Sequence, residues 1–421
     1  MRLPRLSTRA WMMVLALLCA LWIGAESSAI VRRQGVMLPN SILPVGRDFV
    51  VFYSAAKIIT AGDGAELYDV ERQQAEIDQV VGYDSFPLRF AYPAFFALLF
   101  VPLSALPYLW AFGLALAGMT ATLVGAVLIL RSVSLTVRRF PLLIVLALLA
   151  YQPVVSQLFS GLNVGLTLLC LSGAYAALMR KRNHAAGIWL GLLLFKPQIA
   201  LPLLGLLAWR RQWRTVISTA VTGSVLTLVA AVFVSPIWPL RFAQLVLGSE
   251  YRMNERECCG RYHVSLLEGV AIWFPNLPGL KVLIAAIGVA AVVLTLRAWS
   301  SPDLFDDQFP FRFGLALGIA LALSPHALFY ETTLLIIPIV ALVDSWVEGQ
   351  DGIAESFRLS RKQKFLLVAL LVGGMTWPLV RVIGVQPMAL MPPVIAAICW
   401  LKLPCKHGPV RFLALPAPMT Q

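Results

Sequence analysis

Long apolar stretches follow one another along almost the whole chain. A helix of about 20 apolar residues crosses a bilayer, because a helix satisfies its own backbone polar groups. Apolar residues make up 59% of the 421 residues and charged residues only 13%, against about 25% in an average soluble domain. The composition predicts an all-α polytopic membrane protein. Its candidate spans are residues 11–25, 109–130, 141–158, 162–179, 214–234, 280–297, 311–325, 327–343, 363–385 and 387–403.

Two further apolar stretches have interruptions that a regular helix does not tolerate. Residues 93–107 contain three prolines, and residues 185–208 are interrupted by Lys196-Pro197. Proline has no backbone N–H and breaks the helical hydrogen-bond ladder. Both stretches are therefore predicted to be broken or re-entrant helices. If both are hairpins, all the basic loops lie on one side of the membrane; if both cross fully, residues 109–184 invert. We favour the hairpin for 185–208.

Lys and Arg exceed Asp and Glu by 34 − 21 = 13 residues. The excess lies in short clusters between apolar runs, such as "RSVSLTVRR", "RKRNH" and "WRRQWR". This is the positive-inside pattern of a membrane protein, so we expect no nucleic-acid partner. With the basic N-terminus inside, the loops 26–92 and 236–279 lie outside.

The first residues resemble a secretory signal, with a basic start and an apolar core. We expect this segment to be retained as the first span. The six cysteines show no ligand spacing typical of zinc, so no metal site is predicted. Cys258 and Cys259 lie in a polar loop, and the sequence leaves open whether either forms a disulfide with another cysteine.

Asp48 lies in the first outer segment, between Arg47 and the apolar stretch "FVVFYSAAK". A carboxylate at such a boundary can face a water-filled cavity and act as a general base. The alternatives are a surface pair with Arg47 or an N-cap of the following helix, for which Asp is favoured. Its aromatic neighbours, among them Tyr53, offer a surface for a sugar or for lipid.

Lys196 lies in the middle of an apolar segment, where a charge is costly unless it meets an anion. A compact ammonium suits a phosphate. The alternative is an ion pair with a buried carboxylate. In "SPHALFYE", His326, Tyr330 and Glu331 follow Pro325 at an outer turn and could donate to a phosphate or a hydroxyl; the alternative is a tight turn with an interfacial histidine.

Two more polar groups interrupt apolar runs. Gln157, Ser160 and Asn163 could bind hydroxyls, although amides and hydroxyls also join transmembrane helices. His263, in "RYHVSLLEG", lies near a return to the membrane, where an interfacial anchor is the alternative. No Walker loop, HExxH or GxSxG motif in a suitable context is present, which disfavours a nucleotide-driven pump.

Five motifs occur in an order and spacing that resembles glycosyltransferase family 87, over roughly residues 10–345. They are "GRDFVVFYSAAKIITAGDGAELYDV", "FAYPAFFALLFVPLSALPYLWAF", "SGLNVGLTLLCL", "AAGIWLGLLLFKPQIALPLLGLLAWRRQWR" and "SPHALFYETTLLIIP". The resemblance implies the GT-C fold with about 10–12 transmembrane helices and an active site beneath the first outer loop. It also implies a polyprenyl-phosphate sugar donor, with mannose as the sugar of the mycobacterial members, and a lipid or glycan acceptor.

The implied reaction is an inverting single displacement that needs no metal or other cofactor. Asp48 is implied as the base, with Lys196, His326 and Arg47 at the donor phosphate. The residues implied at the sugar or acceptor are Tyr53, Tyr92, Asn163, Gln198, His263, Tyr330 and Glu331. The chain departs from many members at Leu162 and Ala94, where they have Gln and Pro, and at Glu331, where many have Asp.

We thus expect one GT-C domain over residues 1–421. Its parts are the first span 11–25, the first outer loop 26–92, the helical core 93–234, the second outer loop 235–279, the C-terminal spans 280–403 and a cytoplasmic tail 404–421. The protein is expected in the plasma (inner) membrane, in contact with membrane lipids and with its site facing the periplasm or cell exterior. The alternative is a transporter or lipid flippase, which also uses broken helices but predicts inverted repeats. The sequence does not specify the oligomeric state.

Overall fold

The computed structural model describes residues 8–35, 46–82, 87–161, 163–249, 251, 253, 259–347 and 360–403. Within these residues the structure is almost entirely helical and has no β-strand, only one isolated antiparallel bridge between His263 and Leu328. The prediction of an all-α polytopic membrane protein is confirmed. The expected cytoplasmic tail and Cys258 lie outside the described residues.

The N-terminal half runs from the first long helix to the beginning of the second outer loop. Its helices are α1 Thr8–Gly35, α2 Phe49–Thr60, α3 Val70–Val81, α4 Ala94–Leu98, α5 Tyr108–Leu130, α6 Leu135–Arg139, α7 Pro141–Ala150, α8 Gln152–Ser160, α9 Val164–Met179, α10 Asn183–Leu192, α11 Pro197–Trp209, α12 Trp213–Phe233 and α13 Trp238–Leu247. Short 3₁₀ helices at Gly64–Glu66, Val101–Ala105 and Leu193–Phe195 connect some of them.

The C-terminal half continues the same pattern of apolar helices with short breaks. Its helices are α14 Leu266–Trp273, α15 Pro278–Trp299, α16 Phe309–Leu323, α17 Ile336–Val347, α18 Arg361–Gly373, α19 Val380–Ile383 and α20 Met391–Lys402. The 3₁₀ helices of this half are Gly260–Tyr262, Phe329–Leu335, Gly374–Leu379 and Pro387–Leu390.

Five described helical segments are long and apolar enough to cross a membrane. They are Ala10–Ser28, Tyr108–Leu130, Trp213–Phe233, Gly279–Trp299 and Phe329–Val347. The pair α7 and α8 makes a sixth if it is counted as one span, although it bends by 72°. The remaining apolar helices have 10–17 residues. The total of about 10–12 spans therefore stays a prediction.

Two predicted spans are less regular than the sequence indicated. Residues 141–158 were predicted as one span, but the chain bends before α8 and Pro153 lies in the first turn of α8, because proline fits a first helical turn and not a helix interior. The predicted span 363–385 changes from α18 to a 3₁₀ helix at Gly373-Gly374, where two glycines weaken the helix.

The segment 185–208 is broken where the sequence predicted. Lys196 has non-helical φ and ψ of −122° and 73°, between a 3₁₀ turn and α11. Gly187 of α10 lies against Thr215 of α12, and Gly191, one turn later, lies against Thr222. Because residue numbers rise in the same direction on both helices, α10 and α12 run parallel. A Cβ at either glycine would overlap α12. Because α10 and α12 are parallel, α11 must run back between them, as in the favoured hairpin.

The basic loops 131–139, 180–182 and 210–214 lie at one end of the molecule, which we name the basic end. Long-range hydrogen bonds join them to neighbouring inner segments. They are Arg180 Nη2 to Ser132 O at 2.9 Å, Thr136 N to Asp344 Oδ1 at 2.7 Å, and Arg210 Nη2 to Ser301 O at 2.6 Å. The basic clusters thus share one side, as the positive-inside pattern predicted.

Residues 93–107 do not cross the molecule. They form α4 and a 3₁₀ helix that pack on α2 through aromatic rings, with Phe52 and Phe100 stacked at 4.9 Å between centroids. Phe96 of α4 also stacks on Phe195 at 4.7 Å, directly before the break at Lys196. These rings connect the first outer helix to the broken hairpin.

Candidate functional site

The turn that carries Asp48 is docked on the turn between α8 and α9. Gly46 turns the chain with a φ of 76°, and the Asp48 backbone N–H donates to the Ser160 carbonyl at 3.1 Å. Phe49 packs against Gly161, where any Cβ would overlap it and where φ is 74°. A glycine at 161 is therefore required for two of the sequence motifs to meet here.

The Asp48 carboxylate is half-buried but makes none of the contacts expected of a structural aspartate. It precedes α2 without a capping hydrogen bond. Neither it nor Arg47 forms a salt bridge with any described residue. Burial raises the pKa of Asp48 from its ordinary value of 3.8 to about 6, although the nearby Arg47 charge lowers it. Both structural alternatives for this carboxylate are absent from the described structure.

The aromatic residues expected at the sugar have packing roles in this structure. The Tyr53 hydroxyl donates to the Leu106 carbonyl at 2.7 Å, and its ring contacts Tyr108 with centroids 5.3 Å apart. The Tyr92 ring packs on Phe52 at 5.3 Å, while its carbonyl accepts a hydrogen bond from another tyrosine. A sugar contact of Tyr53 or Tyr92 stays a prediction.

Lys196 forms an ion pair with Glu331. The Lys196 Nζ lies 2.9 Å from Glu331 Oε1, with only 3% and 1% of the two side chains exposed. The ammonium also lies 5.7 Å from the centre of the Tyr330 ring. This is the ion-pair alternative considered for Lys196. Glu331 Oε2 has no hydrogen-bond partner among the described residues, so it could accept one more hydrogen bond. The phosphate contact of Lys196 stays a prediction.

The second outer loop pairs with the turn that carries His326. Val264 N donates to the Ala327 carbonyl at 2.8 Å, and the His263 and His326 rings lie edge to face with centroids 5.9 Å apart. His263 is buried and His326 is half-buried. The segment around His263 therefore packs against a neighbouring loop instead of lying free as an interfacial anchor. Cys259, just ahead of it, is disulfide-bonded.

Helices α8 and α9 and the 3₁₀ helix Phe329–Leu335 adjoin one another and connect these groups. The Tyr151 hydroxyl, at the bend before α8, lies 2.6 Å from Thr332 Oγ1. Gln198, in the first turn of α11, is half-buried beside the Lys196 break. The predicted residues thus fall into an Asp48 group, a Lys196–Glu331 group and a histidine group along adjoining elements.

Several buried polar atoms near these groups have no hydrogen-bond partner in the described structure. They are Gln157 Oε1 and Nε2, Asn163 Nδ2, Glu331 Oε2 and Thr333 Oγ1. Buried polar atoms are nearly always satisfied, so a cluster of exceptions indicates a place for a polar ligand or water. The sequence showed Gln157 only as one polar residue among others, because an amide in an apolar run also serves to join helices.

Arg381 is a cation on this side that the sequence analysis did not single out. Its Nε donates to the Tyr262 hydroxyl at 3.1 Å, and Tyr262 in turn contacts Phe329, with ring centroids 6.2 Å apart. Arg381 lies inside the predicted span 363–385, and the local sequence gave no sign of this contact because its partner lies 119 residues away.

No group of three or more His, Cys, Asp or Glu that could hold a metal ion occurs among the residues that the structure describes. The expectation of metal-independent transfer stays a prediction.

The family model of glycosyltransferase family 87 matches residues 90–343. The matched region includes Lys196, His263, His326 and Glu331 and begins after Asp48. No curated protein and no solved structure matches the chain. Because the family model covers more than half of the chain, this membrane protein belongs to glycosyltransferase family 87.

Proposed function

We propose that the protein transfers a hexose, for which the family resemblance indicates mannose, from a polyprenyl phosphate to a lipid or glycan acceptor. The transfer is an inverting, metal-independent single displacement at the extracytoplasmic face of the plasma membrane. The observation that carries this proposal is the half-buried Asp48 carboxylate with its raised pKa, which neither caps α2 nor forms a salt bridge with any cation that the structure describes.

The chemistry follows from one base and one leaving group. Asp48 accepts the proton of the acceptor hydroxyl, and the hydroxyl oxygen attacks the anomeric carbon from the face opposite the phosphate. The bond between the anomeric carbon and the phosphate oxygen breaks, and its electrons leave with the polyprenyl phosphate. A carboxylate with a pKa of about 6 is ionised at neutral pH and is a stronger base than an ordinary aspartate.

Lys196, His326 and Arg47 are proposed to stabilise the charge that develops on the leaving phosphate. The phosphate would become a second anionic partner of Lys196, whose ammonium has three donors while the structure shows one hydrogen bond, to Glu331. The residues proposed at the sugar or acceptor are Tyr53, Tyr92, Asn163, Gln198, His263, Tyr330 and Glu331.

The placement of the reaction outside the cytoplasm rests on the distribution of charge. The basic end is the expected cytoplasmic side. The pairing of α10 with α12 makes the Lys196 break the tip of a hairpin whose two ends lie at the basic end. The Lys196–Glu331 pair therefore lies away from the basic end, and the donor lipid could reach it from the outer leaflet.

The test is a transfer assay on the purified protein in lipid nanodiscs. Radiolabelled hexosyl polyprenyl phosphates, with mannose and glucose compared, are supplied with candidate glycolipid acceptors and with EDTA. We expect a product whose new linkage has the opposite anomeric configuration to the donor, by NMR. Movement of the donor across a liposome membrane without any transfer would instead support the transporter alternative.

The transfer rate is expected to fall as the pH falls through about 6, because Asp48 must be ionised to act as a base and its folded-state pKa is about 6. Above about pH 7 the Asp48 carboxylate is nearly fully ionised, so the rate should no longer rise with pH there. The measurement is kcat/KM between about pH 4.5 and about pH 8.5 in mixed buffers, because kcat/KM reports the pKa values of the free protein. A profile without an acidic limb above pH 5 would contradict this role.

A further inference from the structure

Gln157 is the one residue, among those that the structure describes, whose two side-chain polar atoms are both buried without a hydrogen-bond partner. Only 1% of the residue is exposed. A buried amide without partners costs free energy, and an apolar residue of the same shape would avoid that cost. A structural role as a polar contact between helices would require a partner on another helix, and no described residue supplies one to Gln157.

Gln157 lies on α8, the helix whose last residue contacts the Asp48 turn. Gln157 and Ser160 are three residues apart on α8 and so share one face of that helix. The Ser160 carbonyl accepts the backbone N–H of Asp48. Asn163, just before α9, is fully buried, and its Oδ1 lies 3.5 Å from the Thr167 hydroxyl. No described residue forms a hydrogen bond with its Nδ2.

We propose that Gln157 and Asn163 form a subsite that binds neighbouring hydroxyl groups of a sugar. The inference rests on the proposed function, since it names what this site recognises. A carboxamide needs a donor for Oε1 and an acceptor for Nε2, and a pair of adjacent hydroxyls supplies both. A phosphate diester supplies acceptors only, and a polyprenyl chain supplies neither. Gln157 is therefore a specificity-determining residue and takes no proton in the reaction.

Both the transferred hexose and a glycan acceptor carry hydroxyls next to the reacting atoms. The shared chemistry is a vicinal diol, and the two sources are separated by deoxy analogues. One series removes single hydroxyls from the hexose of the donor, and the other removes them from the acceptor. The series in which discrimination depends on Gln157 identifies the bound sugar.

The test compares the wild type with Gln157→Met, which has nearly the same shape, and with Gln157→Leu. A site built to bind a hydroxyl rejects the analogue that lacks it, here by at least about tenfold in kcat/KM for the wild type. In Gln157→Met we expect the ratio of kcat/KM between the full substrate and its deoxy analogue to fall to about twofold at one hydroxyl or at two adjacent ones. At the other hydroxyls the ratio should stay as in the wild type. Unchanged discrimination at every position would overturn the proposal.

Ser172→Ala is the matched control. Ser172 is also fully buried, and no described residue forms a hydrogen bond with its hydroxyl, but it lies more than two turns further along α9. We expect it to keep the wild-type discrimination. The thermal midpoint of Gln157→Met should equal or exceed that of the wild type, because an unpaired buried amide is removed. A large fall in that midpoint together with unchanged discrimination would assign Gln157 to structure.

A binding measurement keeps this inference separable from the proposed function. Saturation-transfer NMR with free mannose is recorded on wild-type and Gln157→Met protein in nanodiscs. Loss of the mannose signal in the variant, with no transfer by the wild type, would refute the proposed function and support the subsite. Equal signals, or none in either protein, would mean that the amides hold water only, and would overturn the subsite even if the wild type transfers a hexose.

Discussion

Asp48→Asn is expected to lower the transfer rate by about 10²–10⁴-fold at saturating donor and acceptor. The amide keeps the size of the side chain but cannot accept the proton of the acceptor hydroxyl at neutral pH. The measurement is the initial rate in nanodiscs, with donor and acceptor concentrations varied separately. We expect the loss in kcat, since substrate contacts made by other residues are unchanged.

The same substitution should not destabilise the protein. The folded-state pKa of Asp48 is raised to about 6 from 3.8, so protonation stabilises the folded state below about pH 4 and this contribution is lost as the pH rises through 6. At pH 7.5 the wild type therefore carries the cost of a desolvated charge that Asn avoids. The thermal midpoint of Asp48→Asn at pH 7.5 is expected to equal or exceed that of the wild type.

Asp63→Asn is the control in the same outer loop. Asp63 is an exposed carboxylate that pairs with Arg72 at 3.1 Å, so its loss should leave both the rate and the midpoint close to the wild type. Wild-type turnover by Asp48→Asn would remove Asp48 as the base. A lost rate with a lowered midpoint would give Asp48 a structural role instead.

Substitutions of the Lys196–Glu331 pair should separate stability from donor binding. Lys196→Met alone leaves Glu331 buried without a cation, which costs about 3–5 kcal/mol in comparable pairs. The double variant Lys196→Met/Glu331→Leu removes both charges, so we expect it to regain most of the wild-type midpoint. It should still raise the donor KM by at least about tenfold, since it lacks the ammonium for the phosphate. The acceptor KM should change much less.

An ion pair at the opposite end of the molecule, with a buried arginine and a half-buried aspartate, provides the control. Arg312 contacts Asp306 at 2.7 Å and is 4% exposed, so Asp306→Asn should lower the thermal midpoint without a specific change in donor KM. An unchanged donor KM in the double variant at Lys196 and Glu331 would show that this ion pair is structural only. The readouts are thermal unfolding in detergent and competition by polyprenyl phosphate.

Much of the fold could be predicted because it depends on local composition. Apolar runs of sufficient length gave the long helices, and Lys196-Pro197 marked the break in 185–208. The bend at Tyr151 was missed, since Pro153 lies inside a mostly apolar run and its effect depends on what packs against the bend. Proline in such a run is compatible with either a kink or a regular span.

The candidate site was predicted less completely, because its contacts join distant parts of the chain. Glu331 and His326 were recognised as candidates, but the pairing of Glu331 with Lys196 spans 135 residues and left no local pattern. Gln157 carried no stronger signal than other polar residues in apolar runs. Its interest arises only from the absence of a partner, which is a property of the packing.

The sequence by itself determined that the protein is helical and polytopic, because apolar length sets the partition of each segment between lipid and water. The sequence left open whether residues 109–184 invert, and the packing of the helices decided that the basic loops 131–139, 180–182 and 210–214 share one end. The tertiary structure alone decided that the Asp48 carboxylate neither caps α2 nor pairs with Arg47. It also decided which carboxylate forms the ion pair with Lys196. Burial and long-range pairing depend on the packing of the whole chain, so they can be stated only once the helices are assembled.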